Sequence, residues 1–346
     1  MIEPRPYQTQ DIARLRAAMR AGYRRVVYVA ATGSGKTVTA ALIIKSALAA
    51  GKKVLVLVHR HEIYMQTRKK LVEFGLNPIS YEKYKPPEGC NLRMASIQRI
   101  VWHQKSYPEA DLVVVDEAHA NEKAQRKVQE HYPDAWFLLL TATPCRLDGN
   151  PLPADAIVQG ISIPELQSAG YLVPTRVIAC DPPDLSGVKA HGGDFVRAEA
   201  EKVMLGSGIV GDIAQHAELL RGRRFMTFAT GVKHAKVLRD ALSRAGFRAD
   251  VVVAGMSKRK RDFAWAKLRM HLLDTVVSVG VAIEGLDIPE VSGVLWARPT
   301  MSLTIWMQGN GRGMRPGGEK DLLIVDPVGN VWRHGMVEDA RQWSLR

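Results

Sequence analysis

The sequence predicts an α/β chain of two tandem domains, each a parallel sheet covered by helices. Three observations carry this expectation. The chain has 346 residues, 46% of them apolar, enough for two units of roughly 150 residues that each bury a core. Short apolar runs alternate with helical stretches in both halves, the rhythm of βαβ units. The runs are β-branched or leucine-rich and lack polar alternation, as expected of strands buried on both faces.

In the first half the predicted strands are Val26–Ala30, Val54–Val58, Leu92–Ala95, Leu112–Val115 and Phe137–Leu140. In the second they are Arg224–Phe228, Ala249–Val253, Thr275–Val279, Val294–Ala297 and Asp321–Val325. Between the sets, from Asp148 to about Gly193, the chain is richer in Pro, Gly and Asp, with DGNPLPAD and DPPDLSG among its segments, a composition that interrupts regular structure. The expected division is a first domain over residues 1–160, a linker region over 161–192 and a second domain over 193–346. Within the linker, Pro164–Gly170 reads as a short helix and Val173–Cys180 as a strand leading into the second domain.

The net charge of +13 is concentrated: residues 1–100 hold 18 Lys and Arg against 6 Asp and Glu, and Arg221–Arg269 hold 14 against 3. Both halves therefore offer positive surface able to follow a phosphate backbone, although solvated helix faces produce the same counts. Cys90, Cys145 and Cys180 stand far apart, without a C-x-x-C pair or a histidine at ligand spacing, which argues against structural zinc and a disulfide framework. No apolar run approaches the ~18 residues of a membrane helix, and the N-terminus lacks the basic and apolar segments of a leader. The expected location is the cytoplasm, with no membrane partner.

The strongest local signal is AATGSGKT, Ala30 to Thr37, between a predicted strand and a predicted helix. This is the setting a phosphate-binding loop requires. Gly33 and Gly35 let backbone N–H groups turn inward around phosphates, with Thr32 and Ser34 in the same turn, and the helix N-terminus adds a favourable dipole. Lys36 supplies a point charge to the outer phosphates of ATP, and the Thr37 hydroxyl can ligate Mg2+. The general motif has glycine where this chain has Ala30. Further on, LVVVDEAH, Leu112 to His119, ends a buried strand in two carboxylates. Asp116 there would hold the metal, while Glu117 would orient and deprotonate the attacking water. His119 belongs to the same motif, with a packing or capping role as the lesser alternative.

In this order and spacing the residues resemble superfamily 2 helicases with a DEAD/DEAH-box type motor core, over nearly the whole chain. The resemblance implies RecA-like domains with ATP bound in the cleft between them. It also gives meaning to RPYQ, Arg5 to Gln8, whose Arg5, Tyr7 and Gln8 would read the adenine; without it those residues are only a polar helix start. TAT, Thr141 to Thr143, resembles the family's coupling motif. IEGLDIP, Ile283 to Pro289, and QGNGRGMRP, Gln308 to Pro316, resemble its fifth and sixth motifs. Carried over, Gly285 and Asp287 line the cleft, and Gln308, Arg312 and Arg315 face the triphosphate, so that turnover would require closure. Gly309 and Asn310 fall at variable family positions.

The resemblance further implies strand contacts, mainly to the backbone, from Arg60, Gln66, Ser96, Gln98, Thr230, His234, Ser278 and Thr300; each alone is an ordinary capping or solvated residue. GYLVP, RPTMS and TATPCRL most resemble RadD-type bacterial DNA helicases and restriction-enzyme motor subunits. The zinc-binding tail of RadD-type proteins has no counterpart after Val325, which fits a phage or mobile-element protein in a bacterial cell. The expected activity is that of an ATP-hydrolysing DNA helicase or translocase, which would leave room for a loading, replication or repair protein as a further partner. An RNA helicase, a double-stranded DNA translocase and an ATP-gated clamp are the rival readings. A small-molecule P-loop kinase would share Lys36 and Asp116 but has no use for Gln308, Arg312 and Arg315.

Overall fold

Val54–Val58, VLVLV, is buried at every position, and a strand with no exposed face belongs inside a sheet covered on both sides. The computed structural model describes residues 3–59, 61–80, 89–102, 107–144, 152–280, 290–317 and 321–345. They fall into two compact units, Met1–Ser162 with Ala340–Arg346, and Ile163–Asp339. Both sheets are parallel throughout, as the sequence predicts.

The first unit contains α1 (Pro6–Arg20), β1 (Arg25–Val29), α2 (Lys36–Ala49), β2 (Val54–Val58), α3 (His61–Glu73), β3 (Ile79–Ser80), β4 (Leu92–Ser96), α4 (Ile97–Trp102), β5 (Leu112–Val115), α5 (Glu122–His131), β6 (Trp136–Thr141) and β7 (Ala156–Gln159). The strand order is β3-β4-β2-β5-β6-β1-β7. Alternate residues feed two cores. Val26, Tyr28, Val54, Val56 and Val58 join Leu15, Ala40, Ile44 and Leu71 on one face, while Val27, Val29, Leu55 and Leu57 join Ile97, Ile100 and Val128 on the other.

The second core also explains a departure from the expected division. Trp343 and Leu345 pack against it, and Gln159 Nε2 donates to Arg341 O at 3.3 Å. Apolar side chains at the chain's end thus group with the first unit rather than the second.

The second unit contains α6 (Ile163–Ser168), β8 (Thr175–Ala179), β9 (Ala190–His191), β10 (Asp194–Phe195), α7 (Arg197–Met204), α8 (Ser207–His216), β11 (Phe225–Ala229), α9 (Val232–Arg244), β12 (Ala249–Val253), α10 (Lys258–Arg269), β13 (Thr275–Val279), β14 (Gly293–Ala297), α11 (Leu303–Gly311), β15 (Leu322–Asp326) and α12 (Asn330–His334). Its six-stranded sheet runs β12-β13-β11-β14-β15-β8, with β9 and β10 as a separate antiparallel pair. The stretch expected as a linker therefore supplies an edge strand: β8 pairs with β15 in the register Thr175↔Leu322 to Ala179↔Asp326. Glu338 Oε1 holds this edge by accepting from Thr175 N at 3.1 Å and Gln167 Nε2 at 3.2 Å.

Each unit contains a buried polar contact that contributes to its stability. In the first, the Tyr28 hydroxyl donates to Asp11 Oδ2 at 2.6 Å, with Asp11 fully buried. Burial and this carboxylate hold the Tyr28 hydroxyl far above its usual titration range, and the contact fastens α1 to β1. Tyr28→Phe should lower the denaturant-derived stability of the chain by about 1–3 kcal/mol, the cost of stripping a donor from a buried carboxylate. An unchanged midpoint would mean that Arg14, which also pairs with Asp11, suffices.

In the second unit, His234 is wholly buried in α9, its Nδ1 accepting from Thr230 N at 3.3 Å. The expected strand contact from this side chain is thereby corrected: it faces the interior. Burial pushes its pKa down to about 4, so between about pH 6.5 and 4 the unfolded chain takes up a proton that the folded one refuses. The stability that neutral His234 contributes is full above 6.5 and is lost as the pH falls toward 4. Between pH 7 and 4 the parent should lose about 3 kcal/mol more than His234→Asn, which keeps an acceptor but cannot titrate. Parallel pH profiles in urea titrations would contradict this.

Candidate active site

The loops that leave β1, β5 and β6 emerge at the carboxyl edge of the first sheet, where parallel sheets bind ligands. Since β6 lies between β1 and β5, the loops after β1 and β5 start two strand spacings apart, about 10 Å. The ladder continues one step past the strands: Ala30 N donates to Thr141 O at 3.0 Å, Asp116 N to Leu57 O at 3.0 Å and Ala118 N to Leu140 O at 2.8 Å. These bonds fix where each loop begins.

The phosphate loop contains Gly33 and Gly35 at φ +89° and +80°, a backbone region that residues with a Cβ rarely enter. Ser34 N donates to Ala31 O at 3.1 Å, closing the turn. Helix α2 starts at Lys36, so the N–H groups of Lys36 and Thr37 have no intrahelical acceptor and sit at the positive end of the helix dipole. Lys36 Nζ donates to Ala30 O at 3.0 Å across the mouth of the loop. Thr32 and Thr37 are half-buried in the same turn.

Arg5, Tyr7 and Gln8 close on this loop from α1. Arg5 Nη1 donates to the Tyr7 hydroxyl at 3.1 Å, and that hydroxyl donates to Ser34 O at 2.7 Å. Gln8 Nε2 donates to Ser34 O at 3.3 Å, while its Oε1 accepts from Arg5 N at 2.9 Å. A Cβ at Gly35 would stand 2.7 Å from Gln8 Nε2, so glycine is required there by close approach as well as by φ. The residues singled out as adenine-reading are therefore fastened to the phosphate loop itself, and the Tyr28–Asp11 contact behind them holds their helix in place.

The acidic turn after β5 is bent. Glu117 takes φ +52°, a strained conformation for a residue with a side chain. Asp116 Oδ1 accepts from Glu117 N at 3.0 Å, and Thr67 Oγ1 lies 3.5 Å from Oδ2. Burial, followed by the charge of Glu117, pushes the Asp116 carboxyl up to about 6; the Lys36 ammonium pulls it the other way. His119 Nδ1 stands 3.5 Å from Glu117 Oε2 and 3.1 Å from Thr141 Oγ1. The Thr141 hydroxyl donates to Thr143 O at 2.8 Å and accepts from Thr143 N at 3.1 Å. With that hydroxyl hydrogen committed, His119 must be the donor, which places its proton on Nδ1.

Gln125, which sequence reasoning missed, holds the turn from below: its Nε2 donates to Ala118 O at 2.7 Å and Ala120 O at 2.5 Å. Nothing in the local pattern marks this buried glutamine of α5. Thr67 was also missed, although its neighbour Gln66 was chosen.

In the second unit, Gln308 is buried on α11 and Arg312 follows its last turn. Burial lowers the pKa of the Arg315 guanidinium, so its charge is held in a poorly hydrated setting. The intervening residues are structural. Asn310 Oδ1 accepts from Trp296 Nε1 at 2.9 Å and its Nδ2 donates to Trp306 O at 3.0 Å, and a Cβ at Gly309 would come within 2.7 Å of Trp296.

Among the expected strand-contacting residues, Gln66 and Gln98 are exposed, and Ser96 Oγ caps α4 by accepting from Arg99 N at 3.3 Å. Thr230, Ser278 and Thr300 are buried like His234. Thr230 Oγ1 donates to Ala297 O at 3.3 Å and Thr300 Oγ1 to Asp194 Oδ1 at 3.0 Å. The Thr230 and Thr300 hydroxyls are thus engaged within the unit itself. Arg60, Gly285 and Asp287 lie outside the described residues. Among the described residues no His, Cys, Asp and Glu cluster could hold a metal by itself, and no helix is long and apolar enough to cross a membrane.

Residues 1–146 match the family described as the type III restriction enzyme res subunit, and residues 210–317 match the helicase conserved C-terminal domain. A 51.5 kDa protein of a Lactococcus phage is 27% identical over 316 residues, covering 90% of this chain and 67% of its own length. The ATP-dependent Type ISP restriction-modification enzyme LlaBIII, solved bound to DNA, aligns with a TM-score of 0.66 at 18% identity, over 95% of this chain and 28% of that one. The Hef helicase domain of Pyrococcus furiosus aligns with a TM-score of 0.54 at 17% identity, over 94% and 96%. At such identities the structures bear on the fold alone, and both of the units are of the RecA-like kind. With the phosphate loop, the acidic turn and these matches together, the chain belongs to the superfamily 2 helicases, the family of helicases and restriction-enzyme motors that bind and hydrolyse ATP to move along nucleic acid.

Proposed function

We propose that this chain is a DNA-dependent ATPase that moves along a strand by gripping its backbone, with strand separation as the consequence of that movement. What carries the reading is the run of contacts centred on His119 Nδ1, which donates to Thr141 Oγ1 at 3.1 Å and stands 3.5 Å from Glu117 Oε2, so that the water-activating carboxylate lies against the strand end whose hydroxyl donates to Thr143 O. A simple nucleotide-binding protein needs the phosphate loop but not this run. The concentration of Lys and Arg in residues 1–100 and in Arg221–Arg269 supports a polyanionic track, and the resemblance of GYLVP, RPTMS and TATPCRL to DNA helicases and restriction-enzyme motors favours DNA over RNA.

In this reading Lys36 and the α2 N-terminus bind the phosphates of ATP. Asp116 and Thr37 offer hard oxygen donors suited to Mg2+, and the ion would supply charge neutralisation at the phosphates. The half-buried carboxylate beside Lys36 fits that need, provided it is ionised. Glu117 orients water and takes its proton, and His119 fixes the Glu117 side chain. Arg312 and Arg315 are assigned the charge that builds on the transferred phosphoryl group, an effect worth on the order of 10³ in rate. Gln308 orients the same group.

The test is steady-state ATPase activity with and without oligo-dT, poly-U and duplex DNA. Oligo-dT should stimulate the parent at least about tenfold, and Glu117→Gln and Arg315→Ala should each retain nucleotide binding while losing about 10²-fold or more in kcat. Stimulation by poly-U alone would move the assignment to RNA, stimulation by duplex alone to a duplex translocase. A rate indifferent to every nucleic acid would overturn it.

A further inference from the structure

Helix α4 is short and its two buried residues, Ile97 and Ile100, turn one side to the core. The opposite side carries Gln98, Arg99 and Trp102. Gln98 and Trp102 are four residues apart and Arg99 and Trp102 three, so the three side chains share a face. Trp102 is 84% exposed, more than any other large apolar side chain among the described residues. A tryptophan buries more area than almost any other residue when it finds a partner. Leaving the indole in water forgoes that gain and needs a reason.

The position of α4 supplies one. It begins at the carboxyl end of β4, on the same sheet edge as the phosphate loop and the acidic turn, and Gln98 Nε2 donates to His59 O at 3.0 Å, tying it to the loop after β2. Arg99, three residues before Trp102 on the same face of α4, is exposed as well. A flat π-face next to a cation is the combination that holds an unstacked base and its phosphate without reading sequence. A protein partner would be served by a broader apolar patch, and α4 offers a single aromatic flanked by polar and cationic groups.

We propose that Trp102 is a stacking platform for one base of a single strand, with Arg99 taking the adjoining phosphate. The proposal rests on the reading of this chain as a strand-tracking motor, and it adds a base contact to a grip otherwise made through the backbone. It also predicts a preference for single strands over duplex at this point, because paired bases do not offer their faces.

The experiment is fluorescence-anisotropy binding of a labelled dT oligonucleotide and of an abasic strand of equal length to the parent, Trp102→Phe and Trp102→Ala. Trp102 is exposed, so neither variant should disturb folding or ATPase activity in the absence of nucleic acid. The parent should bind dT about tenfold more tightly than the abasic strand. Trp102→Ala should lose that difference and Trp102→Phe should keep most of it. Equal affinity of Trp102→Ala and the parent for dT would overturn the stacking role while leaving the motor reading intact. Failure of the parent to bind either strand would overturn both.

Discussion

The turn that carries Asp116 and Glu117 is the constraint on which the rest of the site depends. A strand that ends in two carboxylates would ordinarily let them spread apart in water. Here Glu117 is forced to a positive φ, and the bent turn is paid for by Gln125 beneath it and by bonds to β2 and β6 on either side. Burial first, and the neighbouring Glu117 charge second, raise the Asp116 pKa, and the Lys36 charge offsets them in part. Strain of this kind persists only where its surroundings over-determine it. The His119 bond to Thr141 is part of that surrounding, and it joins the turn to the end of β6.

The same logic appears behind the phosphate loop. Tyr7 and Gln8 both donate to Ser34 O, and Gln8 Nε2 reaches Gly35 O at 3.5 Å, and α1 in turn is held by the buried Tyr28–Asp11 contact. Tyr7 and Gln8 thus fasten the start of α1 to the loop through three hydrogen bonds. In the second unit, Asp194 performs a similar service for the segment that leads into α11: its carboxylate accepts from Arg298 Nη2 at 2.7 Å, Thr300 Oγ1 at 3.0 Å and Met301 N at 2.8 Å. Asn330 accepts from Thr300 N at 2.9 Å on the other side. The helix bearing Gln308 therefore starts from a fixed point.

Much of this was legible because burial on both faces leaves a plain mark. Val54–Val58 and Leu112–Val115 could hardly be anything but central strands, and glycines followed by Lys36 and Thr37 point to one turn. The edges were harder to read. β7 and β8 are only half-buried, so their composition resembles loop: Ala156–Gln159 carries no strand signal, and Val173–Cys180, read as a strand leading into the second domain, proves to be an edge strand of its sheet. The return of Trp343 and Leu345 to the first core depends on tertiary packing that no local pattern announces. His234 is different, because a signal existed: with Leu238, Ala241 and Leu242 it falls at helical spacing on the inward side of α9, and that periodicity outweighs the motif that suggested a strand contact. Asn310, taken as variable, is a buried polar anchor for two tryptophans.

The central claim is that hydrolysis chemistry and the loop after β6 are coupled through His119 and Thr141. A double-mutant cycle on nucleic-acid-stimulated kcat, with His119→Ala, Thr141→Val and the pair, measures it directly. If the bond carries the coupling, the second substitution should cost almost nothing once the first is made, giving an interaction energy of about 1 kcal/mol or more. Additive effects of the two substitutions would contradict the account.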